Sequence, residues 1–190
     1  MKRKTKIFYG LGLLVIMALA VFWAGMFPLM VIDGKIVWYR EFSKTMRALE
    51  RFEATTRAAG GGGDLSGDAI KELRRSTVET IIADHTADRY IRQNFSYDEM
   101  SGRARDTVDK AIQSADQNVL PKAVERLYGM TLEEYKEVVL MPPALKEELA
   151  KEIEAKHQNF QEIFLSELRN TKVRMFLLPF RWQDGHVVDK

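Results

Sequence analysis

The residues able to make or break bonds are few and scattered. The chain has no cysteine and three histidines, which excludes disulfides, thiol nucleophiles, thiolate metal sites and a lipidated cysteine. His85, His157 and His186 fall in separate stretches. His85 and Asp88 would share one face of a helix and offer two metal ligands, but a solvated pair accounts for the same spacing. No Ser-His-Asp order, paired-carboxylate motif or cofactor fingerprint stands out. The glycines at 60–63 lack the Lys-Ser/Thr pair that a phosphate-cradling loop requires. The sequence therefore predicts no catalytic, metal or cofactor-binding residues.

What the chain does offer is adaptable apolar contact. Met and aromatic side chains repack at low cost against varied partners. Phe42, Met46, Tyr90, Tyr128, Tyr135, Met141 and Phe160 are candidates to line a groove between helices, and ordinary core packing accounts for the same residues. The charge balance narrows the partner. With 29 Lys+Arg against 27 Asp+Glu the net charge is +2. Lys2, Arg3, Lys4 and Lys6 sit at the N-terminus, so the remainder is slightly acidic. That argues against a nucleic-acid partner and against a polybasic lipid surface beyond the tail.

These candidates must be positioned by a chain that begins in a bilayer. Residues Ile7 to Phe27 are apolar and uncharged. As a helix this run reaches roughly 31 Å, against about 30 Å of hydrocarbon. The basic tail 1–6 stays cytoplasmic by the positive-inside bias, and Tyr9 and Trp23 lie near the two interfaces. Ala18-Leu19-Ala20 looks like a signal-peptide cleavage site, but the apolar run continues past it. The run thus reads as a retained single-pass anchor, with residues 28–190 extracytoplasmic at the cell membrane.

Asp33-Gly34 between β-rich flanks predicts a hairpin. A helix over 39–57 follows, and then a flexible linker at 58–67. A second helix starts at Ser66 or Asp68 and ends near Gln93. A third is capped by Ser96, with Glu99 reaching back and Phe95 stapled to Met100. A fourth, over 120–128, stops at Gly129. A fifth starts in a Thr131–Glu134 capping box and ends at Pro142-Pro143. A sixth runs over 144–169. The tail, 172–188, is β-like: a strand over 172–178 interrupted by Pro179, and a turn at Asp184-Gly185. Neither β piece is stable alone, so Val173–Leu178 is predicted to pair with Leu29–Val37. The fold class is mainly α, with one small antiparallel sheet joining the two ends.

The order of these features resembles the N-terminal chaperone module of the SurA/PrsA foldases, which trigger factor's client-binding region also resembles. Ile32-Asp33-Gly34-Lys35-Ile36-Val37 and Glu41-Phe42 match the segment and acidic-Phe pair that open that module. Gly129-Met130-Thr131-Leu132-Glu133-Glu134-Tyr135 matches its Gly-x-Thr-x-Glu-Glu-Phe turn. Two departures stand out. Trp38 occupies the place of a Ser or Thr helix cap, and too little chain follows for a parvulin isomerase domain. The resemblance implies a helical holding chaperone for unfolded or exported polypeptides, acting without ATP. An assembly subunit with one fixed envelope partner, or a reduced prolyl isomerase, are the alternatives.

Overall fold

The hairpin at Asp33-Gly34 forms where the sequence places it. Both residues take positive φ, 48° and 86°, the pair of left-handed positions that a tight two-residue hairpin turn needs. The computed structural model describes residues 27–190. The basic tail 1–6 and the expected anchor, apart from Phe27, lie outside the described residues, among which no helix is long and apolar enough to cross a membrane. Strand β1 (Pro28–Ile32) pairs antiparallel with β2 (Lys35–Trp38), with a bulge between Pro28 and Met30. On its other edge β1 takes β3 (Val173–Met175), Met30 opposite Met175 and Ile32 opposite Val173. The two ends of the domain thus close in one sheet of order β2-β1-β3. The expected strand over 172–178 is shorter than predicted: it stops at Met175, and the chain bends before Pro179. A separate hairpin follows, β4 (Phe180–Gln183) and β5 (His186–Asp189), turning at Asp184 and Gly185 with φ 52° and 87°.

Between the β pieces the chain is helical: α1 (Tyr39–Ala59), α2 (Gly67–Asn94), α3 (Tyr97–Ser114), α4 (Leu120–Tyr128), α5 (Leu132–Tyr135), α6 (Met141–Ala155) and α7 (Phe160–Asn170). Leu29, Met30, Ile32 and Val37 face inward from the sheet. They meet Phe42 and Met46 of α1, Val78, Ile81 and Ile82 of α2, and Phe180 and Val187 of the second hairpin in the main core. Trp38 makes no side-chain cap bond at the start of α1. Instead the Tyr39 amide donates to the Phe27 carbonyl at 3.0 Å, and the Tyr39 ring stacks on Phe27 with centroids 4.6 Å apart. The strand entry thus satisfies a donor that a Ser or Thr cap would otherwise take. At α2, Ser66 caps as expected, accepting from the Ala69 amide at 3.2 Å. At α3, Ser96 holds the cap position without a side-chain bond, so the expected box with Glu99 is not made. Buried Met100 packs in one cluster with Phe95, on the staple side.

Two helix boundaries differ from the sequence reading. Pro142-Pro143 does not end the fifth helix. A π turn over Lys136–Leu140 carries α5 straight into α6, with the Met141 amide bonded to the Lys136 carbonyl. The prolines have no N–H, so in an α-helix the Val138 and Val139 carbonyls would lose their donors and meet the rings. The wider turn shifts the bond pattern and makes room. The expected sixth helix over 144–169 is in fact two. After Ala155 the chain makes a Schellman turn, with His157 donating to the Glu154 carbonyl at 2.9 Å and Gln158 to the Ile153 carbonyl at 3.3 Å. His157 takes the left-handed position, φ 58°, that glycine usually fills. Asn159 then caps α7, accepting from the Glu162 amide at 3.2 Å.

Truncation after Asn170 removes β3 and leaves β1 and β2 as a lone hairpin, which is marginal in water. We expect amide exchange in the β1–β2 hairpin to lose its protection in the truncated domain; hairpin amides that stay protected would show that the tail is an appendage.

The turn between α4 and α5 supplies a second test. Gly129 sits at φ 67°, where an added Cβ would meet Arg51 Nη1 at 2.6 Å. Thr131 accepts from the Glu134 amide at 3.2 Å while Glu134 takes the Thr131 amide at 3.1 Å. Thr131→Ala should cost about 1 kcal/mol in urea unfolding, and Gly129→Val should destabilise as well. No shift for either would mean that the turn carries no stability.

Candidate functional site

The helices leave an open groove between α1, α2, α3 and the wall formed by the π turn and the start of α6. It encloses about 540 Å³. Its apolar lining includes Ile81, Ala87, Val138, Met141, Pro142 and Leu145. The π turn is part of this wall, and it sets Val138 and Met141 on the same side as Leu145.

The groove's polar lining carries both signs of charge. From α2, Asp88 takes Lys35 of β2 at 3.2 Å and Arg92 at 3.0 Å. Burial pushes the Asp88 carboxyl up, but the hydrogen bonds from Arg92 and Lys35 outweigh it and hold it below the ordinary range. The Arg92 guanidinium lies 3.6 Å from the centroid of the Tyr97 ring, a cation–π contact. Tyr97 itself is pushed up, first by burial and then by the Asp88 charge. His85 faces Glu41 of α1 at 3.4 Å, and Arg105 reaches Glu137 at 2.9 Å. Asp84 lies deeper. Lys146 of α6 stands 2.8 Å from its Oδ1, off the line of a hydrogen bond, and burial still wins, raising the Asp84 carboxyl above its usual range. The His85–Asp88 pair read from the sequence does not converge, because each member answers a different helix or strand. Among the described residues no group of three or more His, Asp or Glu could hold a metal ion.

The seven residues picked from the sequence do not form one groove. Phe42 and Met46 lie in the main core, where Thr77 donates to the Met46 sulfur at 3.5 Å. Tyr90 and Phe160 join a second cluster beside Phe95 and Phe164. Tyr128 and Tyr135 join a third, with Tyr128 stacked on Phe52 at 5.1 Å and tilted against Tyr135 at 4.8 Å. Burial, with Tyr135 beside it, pushes the Tyr128 hydroxyl up to about 12. Of the seven, Met141 lines the groove. Val138 and Leu145 were legible as apolar residues of two separate helices; that they share a wall follows from the continuity across Pro142-Pro143. Compared with family models, with curated proteins and with solved structures, the chain finds no match in any of the three.

Lys44, also on the groove, reaches across to Glu134 at 2.9 Å. The Lys44 hydrogen bond, then the Thr131 backbone, hold the Glu134 carboxyl down to about 2 from an ordinary 4.5. A depressed acid stabilises the fold above its unfolded value, and that contribution is lost as pH falls through the folded value. Side-chain NMR titration should therefore find Glu134 charged through pH 4, and Lys44→Met should move its midpoint upward toward the ordinary value. A midpoint that ignores the substitution would remove Lys44 as the cause.

Proposed function

We propose that the chain is a membrane-tethered, extracytoplasmic holding chaperone, with the groove between α1, α2, α3 and α6 as its client site. The observation that carries the reading is the lining of the groove. Apolar side chains form a patch that accepts any aliphatic or aromatic group, and Met141 within it is unbranched and repacks readily. Around the patch lie Lys35, Arg92, Arg105, Asp88 and Glu137, paired with one another, and Glu41, paired with His85. Such partly exposed pairs are weak, so a charged side chain of either sign on a passing polypeptide can exchange into them. That pattern suits an extended chain of varied sequence better than one small molecule, which calls for a more enclosed and more specific pocket. The order of motifs resembling the SurA/PrsA chaperone module supports the same reading, and the run Ile7–Phe27 supplies the tether. Binding of this kind uses no ATP and no covalent step.

A fixed-partner assembly subunit would use the same groove with one register. The two are separated with the full chain in nanodiscs, carrying a photo-crosslinker at Met141 or, as a control, at exposed Leu165. A holding chaperone suppresses aggregation of several unrelated denatured proteins and crosslinks to them from position 141, not from 165. Suppression of none, with one crosslinked species recovered from cells, would replace the chaperone with a fixed-partner subunit. Turnover in a prolyl-peptide isomerisation assay would instead favour the reduced isomerase.

A further inference from the structure

Residues that face each other across a ladder lie on one face of a sheet. Met30, Val37 and Met175 share the inward face of β2-β1-β3, so Val31, Ile36 and Arg174 share the outward one, with Pro28 and Trp38 forming its next row. Phe176 extends that row, its amide donating to the Leu29 carbonyl at 3.0 Å. This outward face is unusually apolar for a solvated one. Ile36 is 47% exposed, Trp38 43%, Phe176 51% and neighbouring Leu177 64%. Contiguous exposed apolar groups of this size mark a binding surface.

We propose that this face lies against the outer surface of the bilayer, with Trp38, Tyr39, Phe176 and Leu177 at the boundary of the hydrocarbon, with Arg174 at the lipid phosphates and with Lys172 just beyond them, within reach of their charge. The first argument is continuity. The apolar run ends at Phe27 and the sheet begins at Pro28, so no linker separates the anchor from this face, and the exposed aromatic row is the row next to Phe27. Tyr39 is tied to Phe27 itself by backbone bond and ring stack. The second argument is residue type: Trp and Tyr collect at the headgroup level, where one side of the ring is apolar and the other wet.

The third argument is spacing. Trp38 to Ile36, or Phe176 to Arg174, is two residues of strand, about 7 Å. The headgroup layer on each side of a bilayer is roughly 5–7 Å deep. With the strands rising from the membrane, the aromatic row at the hydrocarbon boundary places Arg174 at the phosphates. Lys172 stands one step farther out. Beside them runs a shallow groove lined by Val31, Arg169, Lys172, Arg174, Trp182 and Asp184, more cationic than acidic. The near-neutral charge of the whole domain conceals this local patch, which attracts anionic headgroups.

The inference rests on reading Ile7–Phe27 as a bilayer span, and the test separates the two. The full chain carries three tryptophans, Trp23, Trp38 and Trp182; single-tryptophan versions are made by Trp→Phe at the other two positions. Each is reconstituted in phosphatidylcholine vesicles, with or without phosphatidylglycerol, brominated either high or low on the acyl chain. Trp23 alone reports the anchor. Trp38 alone should be quenched by the high bromines more than the low ones, with emission shifted to the blue. Lys172→Glu with Arg174→Glu, both at exposed positions, should reduce that quenching several-fold in the phosphatidylglycerol vesicles and leave far-UV circular dichroism unchanged. Trp23 quenched with Trp38 unquenched keeps the anchor and overturns the lipid face, leaving it to a protein partner. Trp23 unquenched overturns both.

Discussion

Strand β1 has two edges, and both must be occupied before the domain can hold. A two-stranded hairpin is marginal in water, so β1–β2 needs β3, which comes from the far end of the chain. The Asp33 turn is where the pieces are joined. Its amide donates to the Lys172 carbonyl at 2.9 Å, and its Oδ1 accepts the Lys172 amide at 2.9 Å. Its other oxygen takes Arg89 of α2, which also binds Glu167 of α7 at 2.6 Å. Thr86 and Thr171 add a buried hydroxyl pair at 3.0 Å. Surface ion pairs are each worth little. These matter because one guanidinium fixes the hairpin, α2 and α7 relative to one another, and the first helix starts from the same strand.

The groove depends on a different irregularity. A straight α-helix cannot carry Pro142 and Pro143 without losing two hydrogen bonds. The π turn resolves this and at the same time sets the direction in which Val138 and Met141 point. π turns recur at functional sites in helices, and here the turn forms one wall of the candidate client site. The turn and the helix after it are held by ion pairs to α3 and α2, Glu137 of the turn with Arg105 at 2.9 Å and Lys146 of α6 with Asp84 at 2.8 Å.

Much of the fold was legible because it is written in local chemistry. Both Asx-Gly hairpins, the Ser66 cap, the Gly129 stop and the Thr131–Glu134 box depend on a few neighbouring residues whose backbone preferences are strong. The pairing of the two ends was legible for another reason: each piece had apolar residues and no local partner. The misses are cases where a local signal is ambiguous. Pro142-Pro143 reads as a stop, although a π turn lets a helix pass. The break after Ala155 was hidden because Ile153 and Phe160 keep helical spacing across it, and because the left-handed residue is His157 rather than glycine. The Asn159–Glu162 pair was the available signal. The seven site residues show the limit of side-chain type alone. Six of them fill three clusters, since an aromatic on a helix face has the same signature whether it meets a client or its own core.

The long closure of the sheet also dictates the order of events at synthesis. Met30 pairs with Met175, so nearly the whole domain must be made between one partner and the other. At typical elongation rates that interval is on the order of ten seconds, and distant pairing adds further search time once the chain is complete. The helices can form meanwhile, since their contacts are local. Strand β1 cannot; it waits with one edge open. The nascent protein is therefore itself an unfinished chain displaying apolar sequence for seconds, and Val173–Met175 act as the clasp that ends that vulnerability.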